Sequence, residues 1–195
     1  MPDDERNRSP LHQSLWDLYE QLRTEKRERF QRDLPIEELL FDRWERARHL
    51  GFGEGSSIYH SAIVYGDVTV GKGTWIGPKT LLDGSHGLTI GDSCSISAAV
   101  NIYTHDTVQW ALSGGTAAYE GAPVSIGSCS HIGSHTVVAK GVTIGHHCVI
   151  GATSFVNRDI EPWTIAVGAP CRRIGRIELR DGHYELIYDE GKRPA

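Results

Sequence analysis

Four polar side chains with acid–base chemistry lie in two short stretches of the sequence. Asp83 and His86 belong to the stretch DGSHG, and His105 and Asp106 begin the stretch HDTVQWALSGGTAAY. The reference pKa of an imidazole is about 6.5, so a neutral histidine can remove a proton from a substrate at physiological pH. We therefore predict that His105 is a general base beside a substrate site.

Both stretches interrupt a repeat of six residues. Aliphatic residues recur at every sixth position in two series, and glycine often follows them directly. The series are Ile58, Val64, Val70, Ile76, Leu82 and, after a slip of two residues, Ile90, Ile96 and Ile102, and then Ile126, Ile132, Val138, Ile144, Ile150 and Val156. This period fits neither an α-helix nor a plain hairpin. It predicts an all-β solenoid of short flat strands, with three hexads in each triangular coil.

The register of the hexads places the two interruptions on one corner. Counting back three hexads from Ile102 reaches Leu82, so the segment Asp83–His86 should lie one coil before His105. A regular solenoid has no pocket, and function concentrates where loops leave it. We predict that Asp83 and His86 bind substrate beside His105.

The register beyond the loop depends on how the chain rejoins the wall. If EGAPVS is a resumed hexad, Ile132 stacks over Ile102 and His135 lies near His105 as a further substrate-binding residue. Trp110, inside the loop, is a candidate to stack on a sugar ring or a nucleotide base.

Composition narrows the class of protein. The chain has 195 residues, a formal net charge of -5 and 39% hydrophobic residues, which argues against a disordered, collagen-like or membrane-embedded chain. No apolar run approaches the length of a membrane span, and MPDDERNRSP lacks an apolar signal segment. The mild acidity argues against nucleic-acid binding. The four cysteines form no CxxC pair. We predict a cytoplasmic protein.

The predicted organisation has four parts. Residues 1–9 are a disordered tail, 10–50 a helical cap, 51–174 the β-helix with an extruded loop over 105–119, and 175–195 a C-terminal hairpin and tail. Leucines at helical spacing predict a first helix over 10–32, and a second helix is predicted over 36–50. Asp181–Gly182 is a type I′ turn signal between two alternating strands.

The segment PVSIGSCSHIGSHTVVAKGVTIGHHCVIGATSFVNRDIEPWTIAVGAPCRRI resembles the C-terminal half of hexapeptide-repeat acyltransferases, above all the branch of galactoside and maltose O-acetyltransferases. NIYTHDT resembles the segment where that family carries its catalytic histidine, before an extruded loop. The resemblance covers Ile58 to Ile174 and not the helical N-terminus. It implies a left-handed parallel β-helix that forms a homotrimer.

The resemblance also implies an activity. The expected reaction is the transfer of an acetyl group from acetyl-CoA to a hydroxyl or amine of a sugar, with a nucleotide-linked sugar for polysaccharide biosynthesis as one form of acceptor. His105 would be the base, and Ser134 would orient the substrate or the oxyanion. Ala152, Asn157 and Arg158 would line the coenzyme groove, and Arg172 would approach the coenzyme phosphates. No metal is expected.

The chain departs from the family pattern beside its catalytic segment. His105 is followed by Asp106 rather than proline, so Asp106 is an alternative base. His131 stands where the family often has tryptophan.

Two other functions stay open at this point. One is a zinc enzyme resembling γ-type carbonic anhydrases, with His105, His131 and His135 as ligands. The spacing of four between the last two argues against convergence in a period-six solenoid. The other is a non-catalytic scaffold.

Overall fold

A computed structural model describes residues 9–192. The chain divides into two compact units with the boundary between Asp42 and Arg43. Helices α1 (Pro10–Phe30) and α2 (Ile36–Leu40) belong to the first unit, and helix α3 (Arg43–His49) begins the second. The tail predicted over residues 1–9 lies outside the described residues except for Ser9, as do residues 193–195 at the C-terminus.

The start and end of α1 follow from local chemistry. The Ser9 hydroxyl accepts a hydrogen bond from the His12 backbone N–H, and Pro10 occupies the first turn, where its missing N–H costs nothing. Gln31 adopts a left-handed conformation after the last turn and ends the helix. Two guanidinium nitrogens of Arg23 then hold both carboxylate oxygens of Asp33 at 2.9 Å.

The single helix predicted over residues 36–50 is wrong. The chain leaves helical geometry at Phe41, whose φ of -122° and ψ of 148° are those of an extended residue. Helix α3 begins two residues later, after Asp42, a residue type that favours helix N-caps.

Parallel β-strands wind from Ser57 to Val167 as a left-handed β-helix of about six turns. The first face contains β1 (Ser57–Ile58), β3 (Trp75–Ile76), β5 (Ser95–Ile96), β10 (His131–Ile132), β13 (Val149–Ile150) and β15 (Thr164–Val167). The second contains β6 (Asn101–Ile102), β11 (Val137–Val138), β14 (Phe155–Val156) and the first halves of β2 (Ile63–Val70) and β4 (Leu81–Ile90). The third contains the second halves of β2 and β4, then β9 (Val124–Ile126) and β12 (Thr143–Ile144).

The aliphatic positions of the hexads form the core, as the repeat predicts. Ile58, Leu82, Ile102, Ile132 and Val156 are all fully buried. The small residue four places later lies at the corner, where it also serves the backbone. Thr74 and Thr136 donate their hydroxyls to corner carbonyls of Gly91 and Gly151. These bonds satisfy carbonyl groups that the turn leaves without a strand partner.

The register across the loop differs from the prediction. Val138 pairs with Ile102, and Ile132 pairs with Ile96. The chain passes directly from the second face to β9 on the third, because EGAPVS does not form a complete wall hexad. Its first two residues, Glu120–Gly121, instead form a strand of the loop. The prediction that His135 lies near His105 is therefore wrong.

The C-terminal hairpin is confirmed. Strand β16 (Arg172–Arg180) pairs antiparallel with β15 and with β17 (His183–Tyr188). Asp181 and Gly182 both have positive φ, as a type I′ turn requires. No helix within residues 9–192 combines the length and the apolar character that a membrane crossing needs.

Candidate active site

A two-residue insertion shapes the corner between the second and third faces. Strands β2 and β4 pair in register up to Gly66 and Gly84 and resume with Val68 opposite Leu88. The extra residues form a bulge after Asp83. The Ser85 backbone N–H turns back and donates to Asp83 Oδ1 at 2.9 Å. The bulge thus fixes the Asp83 carboxylate, whose side chain is only 1% exposed.

Asp83 binds His105 from the next coil. Its Oδ2 lies 2.6 Å from Nδ1 of His105 and also accepts the Thr104 backbone N–H at 2.8 Å. An ionised carboxylate only accepts hydrogen bonds, so Nδ1 carries the proton. The lone pair of the neutral ring is therefore on Nε2, which has no hydrogen-bond partner among the described residues. The His105 side chain is 31% exposed, so this nitrogen can meet a substrate.

The protonation state of Asp83 reflects two opposing effects. Burial alone would raise the pKa of its carboxyl group. The hydrogen bonds from Ser85, the Thr104 backbone and His105 outweigh burial and hold that pKa well below its ordinary value. Asp83 is therefore an anion at neutral pH. Asp83 is buried and its oxygens are occupied by hydrogen bonds, so it does not fit the direct substrate contact predicted for it. Its bond to Nδ1 instead orients His105.

The alternative base, Asp106, is occupied by other partners. Its Oδ2 forms an ion pair with Lys140 Nζ at 2.7 Å, and its Oδ1 accepts the Val108 backbone N–H at 3.0 Å. The Lys140 ammonium, more than the Val108 hydrogen bond, lowers the pKa of Asp106. A carboxylate with a lowered pKa is a weaker base, so His105 is the better candidate.

The loop leaves the wall as a narrow neck. Strand β7 (His105–Asp106) pairs antiparallel with β8 (Glu120–Gly121), and a short helix α4 (Val108–Leu112) lies between them. Trp110 contacts Tyr119 edge to face, with ring centroids 6.0 Å apart, and the Tyr119 ring lies 6.3 Å from that of His105. Both aromatic rings are partly exposed. The loop therefore presents an aromatic surface beside His105.

His86 supports this neck. Its ring centroid lies 6.3 Å from that of His105, and its backbone N–H donates to Thr104 Oγ1 at 3.0 Å. The ring packs so closely on Gly121 that a Cβ at that position would overlap it. His86 is exposed beside His105, and its contact with a substrate stays a prediction.

A cleft of about 450 Å³ opens beside the base. His105, Asp106 and Lys140 supply its polar wall. Its apolar wall is formed by Tyr103, Val108, Val137, Ala139 and Phe155.

Three of the predicted site residues lie on another corner. Ser134 and His135 follow β10, and Ala152 follows β13, so all three lie between the first and second faces. The Thr153 backbone N–H donates to the Ser134 carbonyl at 2.8 Å, which stacks these two turns. A whole strand separates this corner from His105, and one chain does not bring Ser134 or His135 to the base.

The predicted coenzyme residues are divided between regions. Asn157 and Arg158 directly follow β14, on the same corner as His105 and one coil beyond Lys140, and both are exposed. Arg172 begins β16, and its Nη1 donates to the Cys171 carbonyl at 2.7 Å. Ala152 is exposed on the other corner.

The proposed zinc ligands do not converge within the chain. His131 lies on the first face in register with Ser95 and Val149, while His105 and His135 lie on separate corners. Within residues 9–192, no group of three or more His, Cys, Asp or Glu side chains is arranged to hold a metal ion.

Lys140 is the site residue that sequence reasoning missed. It lies two places after Val138, and Val138 stacks on Ile102. The correct register would have placed it beside His105, but the count through EGAPVS moved it to another corner.

Comparison with known proteins identifies the same repeat. Residues 119–158 match the family model described as bacterial transferase hexapeptide (six repeats). Galactoside O-acetyltransferase of Escherichia coli is 35% identical over 136 residues, which cover 60% of this chain and 67% of that protein. A putative acetyltransferase of Staphylococcus aureus is 47% identical over 73 residues, which cover 37% of this chain and only 36% of that relative.

Two solved structures extend the match. A maltose O-acetyltransferase from Clostridium difficile is 30% identical, with a TM-score of 0.55, and the match covers 85% of this chain and 89% of that one. A variant of AntD, an N-acyltransferase from Bacillus cereus in complex with dTDP and coenzyme A, is 26% identical with a TM-score of 0.58. That match covers 68% of this chain and 88% of the other.

A left-handed β-helix whose residues 119–158 match the bacterial transferase hexapeptide model is that of a hexapeptide-repeat transferase. With the relatives above, the chain belongs to the hexapeptide-repeat acyltransferase family of galactoside and maltose O-acetyltransferases. It is an acetyltransferase.

Proposed function

We propose that this enzyme transfers the acetyl group of acetyl-CoA to a hydroxyl or amine of a sugar, with His105 as the general base. The observation that carries the proposal is the bond between buried Asp83 Oδ2 and His105 Nδ1 at 2.6 Å. It fixes the tautomer in which Nε2 accepts a proton.

The reaction is a direct attack. Nε2 of His105 removes the proton from the acceptor while the acceptor's oxygen or nitrogen bonds to the carbonyl carbon of the thioester. When the carbon–sulfur bond breaks, the coenzyme A thiolate leaves, and the imidazolium returns the proton to it. The Asp83 carboxylate stabilises the imidazolium that forms between these steps.

The cleft and the neighbouring loop offer separate surfaces for a coenzyme and a ring-shaped acceptor. Its apolar wall, with Val137 and Phe155, fits the alkyl part of a pantetheine arm, and Arg158 and Arg172 are exposed cations suited to phosphates. Trp110 and Tyr119 offer aromatic faces to the acceptor. A nucleotide-linked acceptor is consistent with dTDP in the complex of the Bacillus cereus relative, and a role in polysaccharide synthesis extends the same proposal.

The proposal includes a homotrimer in the cytoplasm. Ser134 lies on a corner that a whole strand separates from His105, so a role in orienting the substrate or oxyanion requires a neighbouring copy. Ala152 belongs to that corner as well, and would join Asn157 and Arg158 across the same boundary.

The first test is whether acetyl-CoA binds and is used. At a concentration 100 times its dissociation constant, a ligand stabilises the folded state by about 2.7 kcal/mol, which is a measurable rise in Tm. Arg172→Ala should reduce this rise in Tm. Arg180→Ala is the control and should not reduce it, because Arg180 is paired with Glu178 in the hairpin. Mass spectrometry of maltose and methyl β-galactoside after incubation with acetyl-CoA then detects the acetylated product. If acetyl-CoA does not stabilise the protein and no acetylated product forms, the proposal is refuted.

A further inference from the structure

Two carboxylates face each other at the neck of the loop. Asp106 of β7 is paired directly with Glu120 of β8 across the antiparallel ladder. Like charges at directly opposite positions of a β-ladder repel and destabilise the pairing. The neck therefore needs a cation to stay closed.

Lys140 of the next coil supplies that cation. Its Nζ lies 2.7 Å from Asp106 Oδ2 and 2.7 Å from Glu120 Oε2, so one ammonium bridges both strands. The two hydrogen bonds raise the pKa of Lys140. The lysine itself is fixed to the solenoid, because β11 pairs with β6 and β14 on either side.

The bridge connects the base to the aromatic surface of the loop. Asp106 directly follows His105, and Glu120 directly follows Tyr119, whose ring contacts both His105 and Trp110. The position of the neck therefore determines how far the aromatic pair lies from the base.

We propose that Lys140 is a positioning residue that closes the loop over His105 and so determines the affinity for the acceptor. This inference rests on the proposed function for its kinetic consequence. Without the ammonium, Asp106 and Glu120 repel each other, the neck opens, and the aromatic pair moves away from the acceptor. Acetyl-CoA binding should respond less than acceptor binding, because Val137 and Phe155 of the cleft wall lie on the solenoid and not on the loop.

The experiment compares Lys140→Met, Lys140→Arg and Lys72→Met. Lys72 is the matched control, because it is an exposed lysine on an intact corner. With maltose or methyl β-galactoside as acceptor, Lys140→Met should lower kcat/KM by about 10- to 100-fold, mostly through KM, as expected when a substrate is misplaced by about 1 Å. Lys140→Arg keeps the charge and should stay within about fivefold of wild type.

Two further measurements separate positioning from other roles. The dissociation constant for acetyl-CoA, from calorimetry, should be unchanged in Lys72→Met. In Lys140→Met it should rise less than the acceptor KM does, because Lys140 itself lines the cleft. Amide hydrogen exchange over residues 106–120 should become faster in Lys140→Met and not in Lys72→Met.

The outcomes are distinct from those that test the proposed function. Acceptor constants for Lys140→Met equal to those of Lys72→Met, or a loss of acetyl-CoA affinity as large as the loss in acceptor kcat/KM, would overturn the inference. If wild type neither binds acetyl-CoA nor acetylates the sugars, the proposed function fails. Hydrogen exchange alone then decides whether Lys140 holds the neck closed. Unchanged exchange in Lys140→Met would overturn this structural role as well.

Discussion

Histidines occupy two corners of the same β-helix in different ways. His146 and His147 follow β12 in an intact hexad, where His147 has a positive φ and stacks on Trp163 with ring centroids 4.2 Å apart. His105 follows β6 where the chain leaves the wall, and its ring nitrogen binds the buried carboxylate of Asp83. His146 and His147 contact each other and aromatic neighbours, whereas His105 contacts an anion that fixes its tautomer.

The difference lies in the break in the repeat, which gives the His105 ring a buried carboxylate partner. The histidine itself is common to both corners. What the intact corner lacks is the inserted bulge that buries a carboxylate beside the ring. The comparison can be tested by changing equivalent residues on the two corners.

The largest effect is expected from the histidines themselves. His105→Asn removes Nε2 and should lower kcat by about 10²- to 10⁴-fold, the usual contribution of a general base. His147→Asn is the matched control, because asparagine tolerates the left-handed backbone of that corner, and its kcat should stay within about threefold of wild type. Steady-state kinetics with saturating acetyl-CoA checks both. Equal losses in the two variants would contradict the assignment of the base.

A smaller effect is expected from the carboxylate that orients the base. Asp83→Asn keeps the shape of the side chain but removes the charge that stabilises the imidazolium, so kcat should fall, but by less than in His105→Asn, because the base itself remains. Asp92→Asn is the control, because Asp92 accepts the Lys72 backbone N–H at 2.7 Å on an intact corner with no histidine partner. A loss confined to KM would instead indicate that Asp83 acts on substrate binding.

The sequence predicted the parts of this comparison that depend on period six. Inward positions such as Leu82 and Ile102 are identifiable because the large aliphatic residue recurs at one place in each hexad, while the other inward place holds small or β-branched residues such as Val100. The stacking of Asp83 below His105 followed from counting back three hexads, one of which is lengthened by the two-residue slip, and the pairing of Leu82 with Ile102 confirms it.

The predictions that were wrong depended on segments of the sequence without a six-residue period. The loop between Ile102 and Ile126 has no repeat, so the count across it was one hexad wrong, and this displaced His135 and concealed Lys140. The burial of Asp83 depends on how the bulge at Ser85 folds back, which spacing does not specify. The helix break at Phe41 likewise lies among residues that individually favour a helix.

Substitution of a glycine should affect stability on an intact corner and acceptor binding on the interrupted corner. A Cβ on Gly133 would overlap the backbone of Ala152, which belongs to the next coil and cannot move away. Gly133→Ala should therefore lower the free energy of unfolding by about 1–3 kcal/mol, the usual cost of overpacking. The atoms nearest to a Cβ on Gly121 belong to the exposed His86 ring, which can move, so Gly121→Ala should cost less stability and instead raise the acceptor KM. Denaturant unfolding and acceptor kinetics of both variants check this contrast, and the reverse ranking would refute it.

The smallest effect is the dependence of stability on pH at the broken corner. The folded-state pKa of Asp83 lies below its ordinary value of 3.8, so its ionised form stabilises the fold, and that contribution is fully present above this value. It is lost as the pH falls from the ordinary value toward the folded one, because the unfolded chain then binds a proton first. Since Asp83→Asn has no such contribution to lose, the difference in Tm between wild type and this variant should be constant from pH 7 to about pH 5 and narrow below about pH 4. Thermal unfolding followed by circular dichroism measures this difference, with Asp92→Asn as the control whose offset should narrow less. An offset that widens on acidification would mean that the folded protein keeps Asp83 protonated, and the carboxylate could not fix the tautomer of His105.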